Sequence, residues 1–243
     1  LVNKRRKTQP KPACRIPHEP GEKTFVDFSD GILITCPNTG NKTKTHLFMG
    51  ALPFSSKIFG VFVESQSLPN FIRCHEKMWA YLGGVTKYVV IDNLKAGVKK
   101  AHRYDPEQNP TYCDYANQTG FAVLPARPYT PRDKANVECG HGVAQRTFYQ
   151  EVRNETFYSL AQLNHRWFEF QERLNDEIMK DHGVSRNERF ANEVANLRPL
   201  RKGEYEIAEW KQPKVHPDCC VQVDKSFYSV PYQYCGQIIQ AKI

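Results

Sequence analysis

The sequence predicts an α/β protein: a mixed sheet flanked by helices, followed by a helical linker and a small β-barrel. Three observations predict it. Four runs rich in Phe, Val, Ile and Thr lie within residues 24–64, as successive antiparallel strands would require. Short apolar runs then alternate with helical periodicity between residues 67 and 124, the pattern of parallel strands joined by helices. After a polar stretch holding Gly183, Pro199 and Gly203, short strand-like pieces end the chain.

The first four strands are expected at residues 24–30 (TFVDFSD), 32–36, 45–54 and 58–64 (IFGVFVE), with a turn cluster at 37–42. Ser67 suits a helix N-cap with Pro69 in the first turn, and Phe71, Cys74, Met78, Tyr81 and Leu82 recur at helical spacing until Gly83 and Gly84 stop them. YVVI (88–91), apolar throughout, reads as a central strand. A helix near 110–118 capped by Asn109 and an apolar run at 121–124 follow. Pro131 fits the first turn of a helix running to about residue 153, interrupted only by Gly140 and Gly142. Ser159 opens another, with an apolar stripe of Leu160, Leu163, Trp167, Phe170, Leu174 and Ile178 that is expected to pack on the sheet or on a partner chain. Residues 182–204 read as a linker with one short helix around 188–196. The pieces 221–223, 227–230 and 237–243 suit a small barrel. The expected division is a basic arm at 1–20, an α/β core at 21–153, a helical extension and linker at 154–204, and a barrel at 205–243. The barrel stops inside a strand pattern, and the chain is read as a fragment.

With 243 residues, 40% hydrophobic and 25% charged, the chain is long enough for a sizeable core and is not a disulfide miniprotein. No apolar run approaches the ~20 residues of a membrane span, so no membrane partner is expected. Lys and Arg number 34 against 26 Asp and Glu. The excess is local: Lys4, Arg5, Arg6, Lys7, Lys11 and Arg15 precede any acid. A basic arm with prolines would lie along a polyanion and gain affinity through counterion release, or is simply a solvated linker. The eight cysteines are scattered, which argues for reduced thiols in a cytoplasmic protein. No C-x-x-C or H-x-x-x-H pair offers zinc ligands at short spacing.

Three acids stand out. Asp27 interrupts the first strand between Val26 and Phe28, Asp92 ends YVVI, and Glu138 lies within the helix expected from Pro131. Taken singly, each reads as a strand-end or helix-face residue in water. Together at one sheet edge they would repel one another unless cations were bound, which is the electrostatic logic of a two-metal site. Carboxylate oxygens select Mg²⁺ or Mn²⁺.

FVDFSD (25–30), VVIDNLKAGV (89–98) and ARPYTPRDKANVE (126–138) resemble the catalytic core of IstA-type insertion-sequence transposases, of the DDE, retroviral-integrase-like superfamily. NPTYCDYA (109–116), NETFYSLAQLN (154–164), YEIAEWK (205–211) and VDKSFYSVPYQYCG (223–236) extend the likeness over most of the chain. The resemblance implies an RNase H-like core in which Asp27, Asp92 and Glu138 hold two Mg²⁺ ions, with Mn²⁺ as substitute. A water or a DNA 3′-hydroxyl then attacks a phosphodiester in line. Around that triad, Lys95, Lys99, Lys100, Arg103, Arg127, Arg132 and Lys134 are candidate DNA-binding residues, with Lys4, Arg5, Arg6 and Lys7 on the arm. Lys134, one turn before Glu138, either binds a phosphate or pairs with that carboxylate. Asn93 is a substrate-orienting or a turn residue, and Tyr104 and Tyr129 are stacking or plain loop tyrosines.

The resemblance further implies double-stranded DNA partners (transposon ends and target), a homo-oligomer, an AAA+ ATPase partner and a bacterial, nucleoid-associated location. The helix-turn-helix segments usual upstream in the family have no room before Phe25. Strand transfer is the leading expectation. The alternatives are an RNase H-type metal nuclease that only hydrolyses and a non-catalytic architectural DNA-binding protein.

Overall fold

Alternation of side chains along three long strands gives a sheet with two apolar faces. In the computed structural model, which describes residues 17–91, 109–125, 142, 144–208 and 210–243, β1 (Lys23–Thr35), β2 (Lys42–Ala51) and β3 (Ile58–Val63) pair antiparallel in succession. β4 (Tyr88–Ile91) lies parallel to β1, and β5 (Ala122–Pro125) parallel to β4. The sheet order is β3-β2-β1-β4-β5. The two runs expected at 24–30 and 32–36 are one strand, its register shifting between Asp30 and Leu33. YVVI is interior, as its unbroken hydrophobicity predicts.

One face is covered by α1 (Leu68–Leu82) and α2 (Pro110–Thr119). The Ser67 hydroxyl accepts from the Asn70 N–H and the Asn109 side chain from the Tyr112 N–H, capping the two helices as expected. Gly83 and Gly120 end them in left-handed conformations. Val26, Phe48, Phe59, Val61, Val89 and Ile91 meet Phe71, Cys74, Met78, Trp79, Tyr112 and Tyr115 on this face. The opposite face, with Leu47, Met49, Ile58 and Phe62, packs against α3 (144–151) and α4 (Leu160–Asp176) through Ala144, Phe148, Leu163, Trp167 and Phe170. One glycine on each face permits the close approach of its helix. A Cβ on Gly50 would stand 2.2 Å from the Met78 sulfur, and one on Gly60 would stand 2.6 Å from the Trp167 ring.

α4 also closes the open edge of the sheet. Asn175 exchanges hydrogen bonds with the Ile58 N–H and C=O (3.2 and 2.9 Å), Gln171 accepts from the Gly60 N–H (2.6 Å), and Asn164 exchanges bonds with Phe62 (2.7 and 3.0 Å). Three amides on one helix face thus serve the outward backbone groups of β3, which would otherwise template pairing with another chain. The expected apolar stripe is present except at its end: α4 stops at Asp176, and Ile178 is 71% exposed.

Between 177 and 204 the chain carries α5 (Arg186–Ala191), capped by a Ser185/Glu188 box, and a 3-10 turn at Val194–Asn196. It packs back on the sheet. Glu193, fully buried, accepts from the Gly21 N–H (3.0 Å), and Val85 and Arg198 exchange backbone bonds of 2.9 and 2.8 Å. Burial raises the Glu193 pKa, opposed by its hydrogen bonds. Lys57 pins α5 from the sheet, donating to Asn187 (2.5 Å) with its ammonium over the Tyr81 and Phe190 rings.

The expected small β-barrel is not formed. β6 (Trp210–Lys211) pairs only with β9 (Ala241–Lys242), and β7 (Cys220–Val223) only with β8 (Ser226–Ser229). These are separate two-stranded ladders, and no sheet closes or curls among the described residues. The strands are too short to close. Pro213 and Pro231 carry no N–H for a ladder, Cys219, Asp224 and Gly236 turn the chain through positive φ, and only Val215, Val221 and Val223 are buried at the centre.

Candidate active site

Asp27 sits on the central strand, one residue beyond the last β1–β4 pair, Val26 with Ile91. Here the sheet changes from antiparallel pairing with β2 to parallel pairing with β4, the kind of position where ligands collect in open α/β sheets. Val26 and Phe28 point into the α1/α2 face, the Phe28 ring lying edge-on to Phe48 and tilted to Phe71 at 5.5 and 5.7 Å. By alternation Asp27 shares the other face with Phe25, beneath α3. Its carboxylate is exposed, and Oδ1 accepts from the Phe28 N–H at 2.8 Å.

α3 is held against the same strand. The Tyr149 hydroxyl and the Gln145 amide (3.1 Å) both donate to the Asp30 carbonyl, three residues from Asp27. On its outer side Glu151 receives Arg166 and Arg173 from α4, at 2.6 and 2.5 Å. The Asp30 carboxylate pairs with Lys44 at 2.8 Å, and that hydrogen bond holds its pKa below the ordinary value. Beside them burial lowers the His46 pKa, with Lys44 adding to the effect. Gln66 donates to His46 Nδ1 (3.1 Å), so the proton of the neutral ring sits on Nε2.

Of the acids singled out from sequence, Asp27 is described. Asp92 and Glu138 lie outside the described residues, as do Lys4, Arg5, Arg6, Lys7, Lys95, Lys99, Lys100, Arg103, Arg127, Arg132, Lys134, Asn93, Tyr104 and Tyr129. Among the described residues no three His, Cys, Asp or Glu side chains converge as a metal site, and no helix is long and apolar enough to cross a membrane. Exposed carboxylate oxygens are the hard donors that Mg²⁺ takes, and Asp27 fits as one of them. Sequence reading passed over Gln145 and Tyr149. Their signal is an i, i+4 polar pair beside the apolar Ala144 and Phe148, and only the docking of α3 on β1 gives it meaning.

Three antiparallel strands, two parallel ones and helices on both faces define an RNase H-like fold. Solved structures agree. A chain of the simian T-cell lymphotropic virus intasome in complex with the PP2A regulatory subunit B56 gamma superposes with a TM-score of 0.58 at 12% identity, covering 96% of this chain and 86% of that one. The HTLV-2 integrase catalytic core domain in complex with magnesium gives 0.50 at 13% identity, covering 70% and 97%. In sequence, residues 200–243 match the family of the Mu transposase C-terminal domain. A putative transposase of Sinorhizobium fredii is 37% identical over 93% of this chain and 44% of its own length. The chain spans less than half the length of the first such curated relatives, several of which are named as transposases of insertion sequences. The chain is thus similar over most of its length to transposases of various insertion sequences, with no single type marked out, and shares the fold of retroviral integrase catalytic cores.

Proposed function

We propose that this chain is the catalytic part of an insertion-sequence transposase that cuts and joins DNA through Asp27, Asp92 and Glu138. The observation that carries the reading is the register of β1 and β4. Asp27 follows Val26, Asp92 is bonded to Ile91, and Val26 and Ile91 are neighbours across parallel strands. Asp27 therefore stands one residue past the level at which β4 ends, and Asp92 is the next residue of the chain after β4. Glu138 precedes α3 by six residues of chain, a reach of at most about 20 Å, and α3 lies on the Asp27 face.

Two Mg²⁺ ions held by these carboxylates would supply Lewis-acid stabilisation of the phosphodiester oxygens and an activated hydroxyl. The chain's own part is positioning. Gln145 and Tyr149 fix α3 to β1, and the Glu151–Arg166–Arg173 pairs fix it to α4, so α3 is held in a set position on the sheet six residues after Glu138 in the chain. Lys95, Lys99, Lys100, Arg103, Arg127, Arg132 and Lys134, with Lys4, Arg5, Arg6 and Lys7, are assigned to DNA phosphates. Domain limits at 20, 153 and 204, drawn from charge and composition, and a homo-oligomer on two DNA ends and an AAA+ ATPase partner, which rest on the family resemblance, belong to the same reading.

The test is joining of a labelled DNA end to a target duplex in Mg²⁺ or Mn²⁺. Asp27→Asn, Asp92→Asn and Glu138→Gln should each lower product at least about a hundredfold while leaving the thermal melt within a few degrees. Full activity in Asp27→Asn would overturn the assignment. Nicking without joining would mark a nuclease, and salt-sensitive binding with neither product would mark an architectural protein.

A further inference from the structure

Two sulfurs in the C-terminal segment face each other outside any site assigned above. Cys219 Sγ and Cys235 Sγ stand 3.1 Å apart and form no disulfide. Each is held by backbone. Cys219 closes the turn before β7, its N–H donating to the His216 carbonyl (3.0 Å) and its carbonyl accepting from Val230 (2.8 Å). Cys235 ends the 3-10 turn Tyr232–Tyr234, its N–H donating to Tyr232 (3.0 Å), and the next residue, Gly236, donates to Val215 (3.0 Å). Both cysteines are partly exposed, within reach of a small oxidant. Cys220 is adjacent in sequence but begins β7, so alternation sends its side chain to the other side.

We propose that Cys219 and Cys235 form a dithiol that oxidises to an intramolecular disulfide, a redox staple for residues 210–243. The segment needs one. Its core is three buried valines with Val230, Cys235, Ile239 and Ala241 around them, and units of this size usually depend on a cross-link, a metal or a partner. The oxidant is a low-molecular-weight disulfide. One cysteine thiolate attacks it and releases one thiol. The second cysteine attacks the resulting mixed disulfide and releases the other. The two cysteine sulfurs are oxidised, the two oxidant sulfurs reduced, and the two cysteine protons end on the released thiols. The hydrogen bond shared with the Cys235 sulfur, with burial and nearby Asp218, keeps the Cys219 pKa above its ordinary value, so the exchange speeds up as pH rises. The cross-link would join the turn before β7 to the turn after β8, stiffening the support of Phe227, Tyr228 and Tyr232, which are 69%, 55% and 83% exposed.

The test incubates the chain with glutathione disulfide at pH 8 and maps unreduced tryptic peptides by fragmentation. Residues 215–225 should be joined to 226–242 through Cys219 and Cys235, and Cys220→Ser should keep the link. Cys219→Ser and Cys235→Ser should each lose it. Amide exchange of Val221 and Val223 in these two variants, matching that of the reduced parent, excludes loss by unfolding. Oxidation of the parent should slow those amides about tenfold. A link through Cys220, stable glutathione adducts on both cysteines, or unchanged exchange after oxidation would each overturn the proposal.

Discussion

The sheet and the C-terminal segment are built from similar residues and held by different means. Around the sheet, aromatic side chains from both strands and helices are wholly buried: Phe48 and Trp79 on one face, Phe62, Phe148 and Trp167 on the other. In residues 210–243 the aromatics Phe227, Tyr228 and Tyr232 face solvent, and backbone bonds between turns do most of the holding. The difference lies in neighbours rather than composition. A strand with a helix on each face can bury every second residue on each side, whereas a two-residue ladder has nothing to cover it. The position of Asp27 therefore rests on a deep core, and the C-terminal segment on local geometry.

The comparison predicts its own largest effect. Trp167→Ala removes the indole that fills the gap above Gly60 and meets Phe62 and Phe148 edge-on, and should cost about 3–5 kcal/mol in a urea melt. A loss below about 1 kcal/mol would mean that the α3/α4 face is not the close-packed one.

His75 sharpens the same point through pH. It is fully buried among Phe48, Phe71, Trp79, Tyr112, Tyr115 and Phe121. The Phe71 carbonyl can only accept, so Nδ1 donates to it (2.8 Å), and Nε2 accepts from the Tyr112 hydroxyl (3.2 Å). Burial pushes its pKa from 6.5 down to about 4, against the opposing Phe71 bond. Between those values the unfolded chain binds a proton that the native one does not. The contribution is complete above pH about 6.5 and is lost as pH falls towards 4, about 3 kcal/mol in all. Urea melts from pH 7 to 5 should show a steeper loss for the parent than for His75→Phe. Equal slopes would show that the ring titrates freely.

At the sheet edge, Asn175→Ala leaves the Ile58 N–H and C=O unpaired, at a cost of about 1–3 kcal/mol. Dimers appearing in sedimentation would add that the uncovered strand pairs with another copy. The smallest effect belongs to the other region: Phe227→Ser should change stability by no more than about 0.5 kcal/mol. A larger loss would mean that the exposed ring has a partner and that the contrast between the regions is overdrawn.

Much of this was legible in the sequence because its causes are local. Ser67 and Asn109 before Pro-containing first turns, Gly83 and Gly120 after the last turns, and the unbroken YVVI each act within a few residues. β7 and β8 were legible for the same reason, while β6 was not and β9 is shorter than the run expected at 237–243; closure of a barrel is not local, and strand-forming composition says nothing of whether two ladders join. Residues 182–204 read as a polar linker because Glu193, Asn187 and Arg198 are polar. Their packing shows only when Gly21, Lys57 and Val85 are brought to them.

By itself, then, the sequence determined the order of helices and strands, the two-faced alternation and the acid at position 27, since each depends on side-chain type and short-range spacing. Tertiary structure alone decided that Val26 and Ile91 lie level, that Gln145 and Tyr149 tie α3 to the Asp27 strand, that three amides of α4 close the edge of β3, and that two cysteines far apart in the chain meet. Those contacts depend on the register and docking of distant segments, which burial on both faces of the sheet selects.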